Sequence, residues 1–314
     1  MTAGTTPASA RGHVDVAAGA GAPVALERVH ERGAWWRGSG SSVREIWRYR
    51  ELLAQLVRKE LKVRYKDSAL GFLWTLVRPL LQLLVYSIAI GIFLGSSKAI
   101  PSFGIFLFTG LLAWTLFTDI LGGATASIVG NAGLVKKVYF PRELFPLAVV
   151  GAAVINTALQ SVVLIGAFGV TGHWPDPANL PLVPLALLVL VVFATALGLL
   201  LAAANVYLRD VQYLVEVGTL LWFWMTPIIY DWTKVRDQLA ERHGWAYQLY
   251  IDNPMATVVL SVQHALWRQG AGTVFDYTGD LYTRLGVTLG ACVVFLWFAQ
   301  RIFIRAQGNF AQEL

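Results

Sequence analysis

Between Val57 and Gln82 the chain reads VRKELKVRYKDSALGFLWTLVRPLLQ. The first half is crowded with Arg and Lys, the second is almost wholly apolar, and Arg78-Pro79 stands just inside the apolar half. This junction decides the fold class. Upstream of it, Ile46, Tyr49, Leu52, Leu53, Leu56, Val57 and Leu61 recur at helical spacing. Arg44, Arg48, Gln55, Arg58, Lys59 and Lys62 fall on the opposite face. A basic amphipathic helix beside an apolar segment lies along an anionic inner leaflet, because lipid attraction and apolar burial act together. A soluble helix packed on a partner protein is the alternative. Arg64 to Gly71 then turn the chain upward, with Gly71 as hinge. Arg78 and Pro79 fall in the first turns of a span, where Arg reaches water and Pro disturbs few hydrogen bonds.

The rest of the chain fits this start. It has 314 residues, 56% hydrophobic and only 14% charged, well below the quarter or so of charged residues in soluble domains. Mean hydropathy is +0.56. Apolar blocks near 73–95, 104–126, 146–170, 181–204, 212–230 and 284–304 each approach the ~20 residues that cross a bilayer. The expectation is an all-α polytopic membrane protein with six transmembrane helices. Residues 1–42 form a disordered cytoplasmic tail without the apolar core of a signal peptide. Its Trp35-Trp36 pair suits the membrane interface or a partner. Residues 43–71 form the interface helix and elbow, and 72–314 the six-span domain. About half of the Lys and Arg precede the first span, and Lys136, Lys137, Arg142, Arg209, Arg301 and Arg305 fall on the same side. Both termini are therefore cytoplasmic.

Between spans five and six, residues 231–283 hold a second pattern. Asn253-Pro254 precedes MATVVLSVQHALW, about thirteen apolar residues, too few to span. With the amphipathic stretch before it, this predicts short re-entrant helices dipping into the outer leaflet. A small external subdomain is the alternative.

Several chemistries are excluded. No P-loop, H-E-x-x-H or G-x-S-x-G motif is present, so this chain has no ATP site of its own. The single cysteine, Cys292, rules out an internal disulfide and reads as a small buried hydrophobe. Five scattered His make no zinc pattern. The net charge of +6 sits beside apolar blocks, which favours anionic inner-leaflet lipids over nucleic acid.

Ionisable residues inside spans are functional candidates. Arg78, Asp119 and Glu216 all fall in the cytoplasmic half, which fits a polar inner mouth. Snorkelling with a local ion pair, Arg78 to either acid, is the competing account. The loop GLVKKVYFPRELFP, Gly133 to Pro146, is basic and short. It suits a protruding helix that docks on a partner, or an ordinary positive-inside loop. The run LWFWMTPIIY, Leu221 to Tyr230, places Trp222, Phe223 and Trp224 near the outer side, as sugar-stacking rings or as an interfacial belt.

RYKDSALGFLWTLVRP, Arg64 to Pro79, resembles the start of Wzm-like permease subunits of polysaccharide ABC exporters. KKVYFPRELFP (Lys136 to Pro146), NVYLRDVQYL (Asn205 to Leu214), Asn253-Pro254 with its apolar run, and RAQGNFAQEL (Arg305 to Leu314) are similar to the same family. One departure is Gln263, near a position where relatives often carry Arg. The resemblance implies a homodimeric permease in the bacterial inner membrane, served by two separate ATPase subunits that hold ATP and Mg. It implies a lipid-linked polymer of the O-antigen, teichoic-acid or galactan kind threaded outward through a channel at the dimer interface. It further implies ATPase coupling through Lys136, Lys137, Arg142, Glu143, Arg209 and Asp210, and a cytoplasmic mouth at Arg64, Tyr65, Arg78, Asp119 and Glu216. Channel aromatics would be Trp74, Tyr86, Trp114, Trp222, Phe223 and Trp224, with an outer gate at Asn253 and Pro254. A drug or small-lipid permease of the same fold, a polytopic glycosyltransferase and a proton-coupled carrier are the alternatives. The absence of a D-x-D motif weakens the second, and the shallow charged residues weaken the third.

Overall fold

The computed structural model describes residues 39–65, 73–93, 95–137, 140–239, 244–267 and 280–314. The Trp35-Trp36 pair and the elbow with Gly71 lie outside the described residues, as does the side chain of Tyr65. Among the described residues all regular structure is helical. The elements are α1 Ser39–Arg48, α2 Arg50–Tyr65, α3 Trp74–Tyr86, α4 Ser96–Ala99, α5 Phe103–Gly130, α6 Ala132–Val135 and α7 Leu144–Thr171. They continue with α8 Leu182–Tyr207, α9 Val211–Trp224, α10 Trp232–Leu239, α11 Gly244–Ile251, α12 Pro254–Leu266, α13 Leu281–Ala306 and α14 Phe310–Glu313. A wider π-helical stretch, Ser87–Phe93, prolongs α3.

Among the described residues five helical segments are long and apolar enough to cross a membrane: Trp74–Phe93, Phe103–Gly130, Leu144–Thr171, Leu182–Tyr207 and the one beginning at Leu281. The central one is α5, which is apolar on all sides and the most buried of the five. A helix hydrophobic all round belongs in a core. Between α5 and α8 the spacing is set by small residues, as in membrane bundles. A Cβ on Gly198 would stand 2.8 Å from the Cβ of Ala124, so only glycine permits this approach. The same pair is tied by Asn205 Nδ2, which donates to the Thr125 carbonyl at 3.0 Å.

The amphipathic segment forms as α1 and α2, beginning at Ser39 rather than Val43. The Leu53 N–H still reaches the Tyr49 carbonyl at 2.9 Å, so the helical ladder runs on through the turn. Its apolar face does not look outward. Leu56 is buried, and Ile46, Tyr49, Leu52, Leu53 and Val57 pack on a cluster that includes Ile128, Phe145, Ala148, Phe303 and Phe310. Gly151 on α7 lets Val57 in, since a Cβ there would lie 2.8 Å from Val57 Cγ2. The apolar stripe is therefore satisfied by this chain's own helices, and the basic face remains exposed.

The apolar block at 212–230 behaves differently from its neighbours. Its helix, α9, has 14 residues, about 21 Å at 1.5 Å per residue. The chain turns after Trp224, where Thr226 and Pro227 interrupt the helical hydrogen bonds. Two short helices follow, and then α12, buried at ten of its 13 residues. It begins beside Trp222, in the middle of the bundle. It ends at Trp267, whose indole donates to the Pro101 carbonyl at 2.7 Å, just ahead of α5. Half of the bundle's height is thus lined by α9 and the other half by α12.

Candidate functional site

A cavity of about 500 Å³ opens between α2, α3, α5 and α7. It gathers residues that are far apart in sequence: Arg64, Trp74, Arg78, Trp114, Asp119 and Gln160 among them. Arg64 Nη1 donates to Asp119 Oδ2 at 2.8 Å, and Asn156 Nδ2 donates to the same oxygen at 3.2 Å. Asp119 therefore pairs with Arg64 and not with Arg78, contrary to the local pairing considered above. Among the described residues Arg78 has no ion-pair partner, and its side chain is exposed at the cavity wall. Gln160 is only 4% exposed, yet its Oε1 has no hydrogen-bond donor. Glu216 takes no part in the cavity. It sits exposed on α9.

The predicted aromatics divide into two groups. Trp74 and Trp114 line the cavity. The others belong to a packed ladder of rings: Tyr86 stacks on Phe223 at 6.1 Å, and Phe223 meets Trp114 edge-on at 5.5 Å. Trp222 packs edge-on against Phe117 and Phe193 at 5.3 and 5.9 Å. Of the three predicted aromatics on α9, Trp224 alone projects outward. At about 100° per residue, positions two apart on a helix point to nearly opposite sides, which explains the split between Trp222 and Trp224. Phe117 and Phe193, central to the ladder, were not singled out in the sequence, because nothing in an apolar run marks which ring faces which.

Trp222 also reaches the start of α12. Its Nε1 donates to Asn253 Oδ1 at 3.3 Å, the oxygen that accepts the Met255 N–H at 3.1 Å and caps the helix. Pro254 follows at the first turn, where its missing N–H costs nothing. Further along α12, Gln263 is fully buried, and its Nε2 reaches toward the carbonyls of Phe106 and Ile228 at 3.4 and 3.5 Å. An amide here holds helices together. It makes no outward contact.

At the opposite end of the bundle the predicted coupling residues also divide. Lys136, Lys137, Arg209 and Asp210 are exposed. Arg142 and Glu143 face inward. Arg142 donates to the Gln307 carbonyl and lies over the Phe310 ring at 5.9 Å. Glu143 is 4% exposed and accepts a hydrogen bond from Gln300 Nε2 at 3.3 Å. Burial raises its pKa to about 7 against the lowering effect of that hydrogen bond, with Glu45 adding a smaller repulsion. Glu143 anchors the loop from inside. Phe310 in turn fills a socket against Phe303 and Tyr207, and Tyr207 Oη donates to the Ala306 carbonyl at 3.0 Å. Gln300, Gln307 and Phe310 were missed as partners, since all three lie more than 150 residues downstream of the loop.

Comparison with known proteins places this architecture. A family model described as ABC-2 type transporter matches residues 51–240. The chain belongs to that family. As an ABC-2 type transporter with five apolar crossing helices, it is a multi-pass inner-membrane protein. It is 34% identical over 272 residues to the O-antigen export system permease protein RfbA of Myxococcus xanthus, covering 87% of this chain and 98% of the relative. An O-antigen export system permease protein RfbA of Klebsiella pneumoniae is 32% identical over 246 residues, covering 76% and 90%. The polysialic acid transport protein KpsM of Escherichia coli is more distant, 22% identical over 208 residues, covering 65% and 76%. The resemblance drawn from the Arg64–Pro79 motif is borne out.

Proposed function

We propose that this chain is the channel-forming permease of an ATP-driven exporter that moves a lipid-linked cell-envelope polysaccharide, of the O-antigen, teichoic-acid or galactan kind, out of the cytoplasm. The observation that carries this reading is the 34% identity across nearly the full length of an O-antigen export permease. Two copies form the pore, and a separate ATPase subunit serves each. The end of the bundle that holds α2, Lys136, Lys137, Arg209 and α14 is the cytoplasmic end, because it carries the basic residues. There Lys136, Lys137, Arg209 and Asp210 contact the ATPases, while Arg142 and Glu143 fix the loop that presents the lysines. Arg64, Tyr65, Arg78 and Asp119 form the mouth, with Glu216 on its approach. The fifth crossing is completed by α9 and the re-entrant α12, with Asn253 and Pro254 at the gate.

Deletion of the gene tests the function. The expected result is loss of the surface polymer with lipid-linked polymer accumulating inside the cell; an unchanged surface overturns the reading. Docking is tested with K136E/K137E, which is expected to cut co-purification of the ATPase subunit at least fivefold. Unchanged co-purification and ATP turnover would remove the docking role.

A further inference from the structure

A second cavity lies apart from the first. It is a groove of about 520 Å³ between α8, α12 and α13. Arg284, Val287, Thr288, Ala291, Cys292 and Phe295 form its α13 wall, and their spacing of three and four marks a single helix face. From Arg284 to Phe295 the helix rises about 16 Å at 1.5 Å per residue, half of the ~30 Å hydrocarbon core. The groove is therefore as long as one leaflet is deep. Its sides open to the surroundings of a crossing helix, where Val287 is 71% exposed. The two ends differ in chemistry. One is floored by Phe295 and by Phe193 of α8, whose rings lie 6.2 Å apart. The other is charged: Arg284 Nη2 donates to Asp252 Oδ1 at 3.2 Å, and the Asp252 side chain is largely exposed. Asp280, nearby in sequence, is occupied in capping α13, where it accepts the Tyr282 N–H and the Thr283 hydroxyl at 3.0 Å each. An exposed ion pair adds little to stability, so a ligand separates Arg284 from Asp252 at small cost.

We infer that this groove binds one phosphatidylethanolamine of the outer leaflet. One acyl chain runs along α13 to Phe295, the phosphate meets Arg284 and the ammonium meets Asp252. That this end of α13 faces outward rests on the export reading; the headgroup chemistry does not. The mouth holds one cation and one carboxylate, and the headgroup holds the complementary pair, so each charge gains a charge-assisted hydrogen bond. An anionic phospholipid satisfies Arg284 and leaves its excess charge beside Asp252. Phosphatidylcholine carries a quaternary ammonium with no N–H to donate to the carboxylate. A glycan finds few polar partners along Val287, Ala291 and Phe295. Asp252 directly precedes Asn253, the cap of α12, so the headgroup sits against the start of that helix.

The test is photolabelling of the purified full chain in phosphatidylcholine nanodiscs. The probe is a trace of phosphatidylethanolamine with a diazirine at the end of one acyl chain, and adducts are located by mass spectrometry. Adducts are expected on α13 between Ala291 and Phe295, with unlabelled phosphatidylethanolamine competing at least about fivefold better than phosphatidylglycerol. R284Q is expected to cut these adducts about fivefold to tenfold, the scale of a charge-assisted contact, and R284K to fall between R284Q and the parent. D252N is expected to lower the preference for phosphatidylethanolamine over phosphatidylcholine about threefold or more. A291W fills the groove and is expected to abolish the adducts, whereas V294W, on an exposed face outside it, leaves them. Unchanged adducts in A291W or in R284Q, with both variants folded by thermal unfolding, overturn the site. So do adducts spread evenly over α3, α9 and α13, or none on α13, which would mean that the groove is filled by this chain or a second copy. Phosphatidylglycerol competing as well as phosphatidylethanolamine overturns the headgroup assignment. Loss of surface polymer on gene deletion, with evenly spread adducts, overturns the lipid site and leaves the export reading. Adducts as expected, with a normal surface in the deletion strain, do the reverse.

Discussion

Helices α9 and α12 are nearly equal in length, 14 and 13 residues, and meet end to end at the Trp222–Asn253 hydrogen bond. They treat their apolar side chains in opposite ways. On α9, Tyr213, Leu214, Val217, Leu220, Leu221 and Trp224 all face outward, and only Val211, Val215 and Phe223 are buried. On α12, Met255 to Gln263 is buried without a break. Both are apolar. One presents its apolar surface to the surroundings and the other to the protein. Hydropathy measures the distance from water and does not say which of the two apolar neighbours a side chain will have. The polar groups follow the same division. Every buried polar side chain on α12 is neutral, whereas the basic end of the bundle buries the carboxyl of Glu143.

The contrast breaks most easily at the core. Leu260 is 1% exposed and Leu220 is 65% exposed. L260A is expected to cost about 2–4 kcal/mol through lost burial and a cavity, and L220A less than about 1 kcal/mol. Thermal unfolding in one detergent measures both, and equal shifts would erase the distinction. A pH series sharpens the polar half of the comparison. The folded Glu143 carboxyl holds its proton up to about 7, whereas the unfolded chain releases it near the ordinary value of about 4.3. The folded state then binds the extra proton, so stability falls as pH rises between these values and stays low above them. E143Q removes that slope, and at pH 8 is expected to be more stable than the parent by up to about 3 kcal/mol. A flat parent profile would show that Glu143 is ionised at no cost. The junction itself is worth least. N253A is expected to lose about 1–2 kcal/mol with its cap, and W222F about 1 kcal/mol with its indole hydrogen bond. Because they share one oxygen, the double variant should lose less than the sum. Strict additivity would separate the two contacts.

How much of this was legible in the sequence depends on distance along the chain. Helix α2 and the five long apolar helices were, because periodicity and length are local properties. The break after Trp224 was half legible: Pro227 and the thirteen-residue run after Asn253 were visible, but not that α12 would occupy the height α9 leaves open. That is a matter of packing against Phe106, Phe117 and Phe193, and no local pattern encodes it. The cavity shows the same limit. Arg78 and Asp119 were recognisable as costly charges beside apolar residues, and Arg64 joined them only through the family resemblance. The pairing of Arg64 with Asp119 was not recognisable, since the two are 55 positions apart, on α2 and α5, which both pack against α7. The burial of Glu143 shows the same limit. An Arg-Glu pair after a proline in a basic loop has the composition of a surface, and its burial is imposed by Gln300 and Phe310 on segments that return from the far end of the chain.

The one cysteine of the chain, Cys292, lies on α13 and is buried. This has a practical side. A chain whose one cysteine is buried is a natural background for site-directed labelling. A cysteine placed at Trp224 or Leu220, both outward-facing, would carry the only accessible probe in each copy. The separation of two such labels in a membrane would then test whether copies of the chain associate through α9.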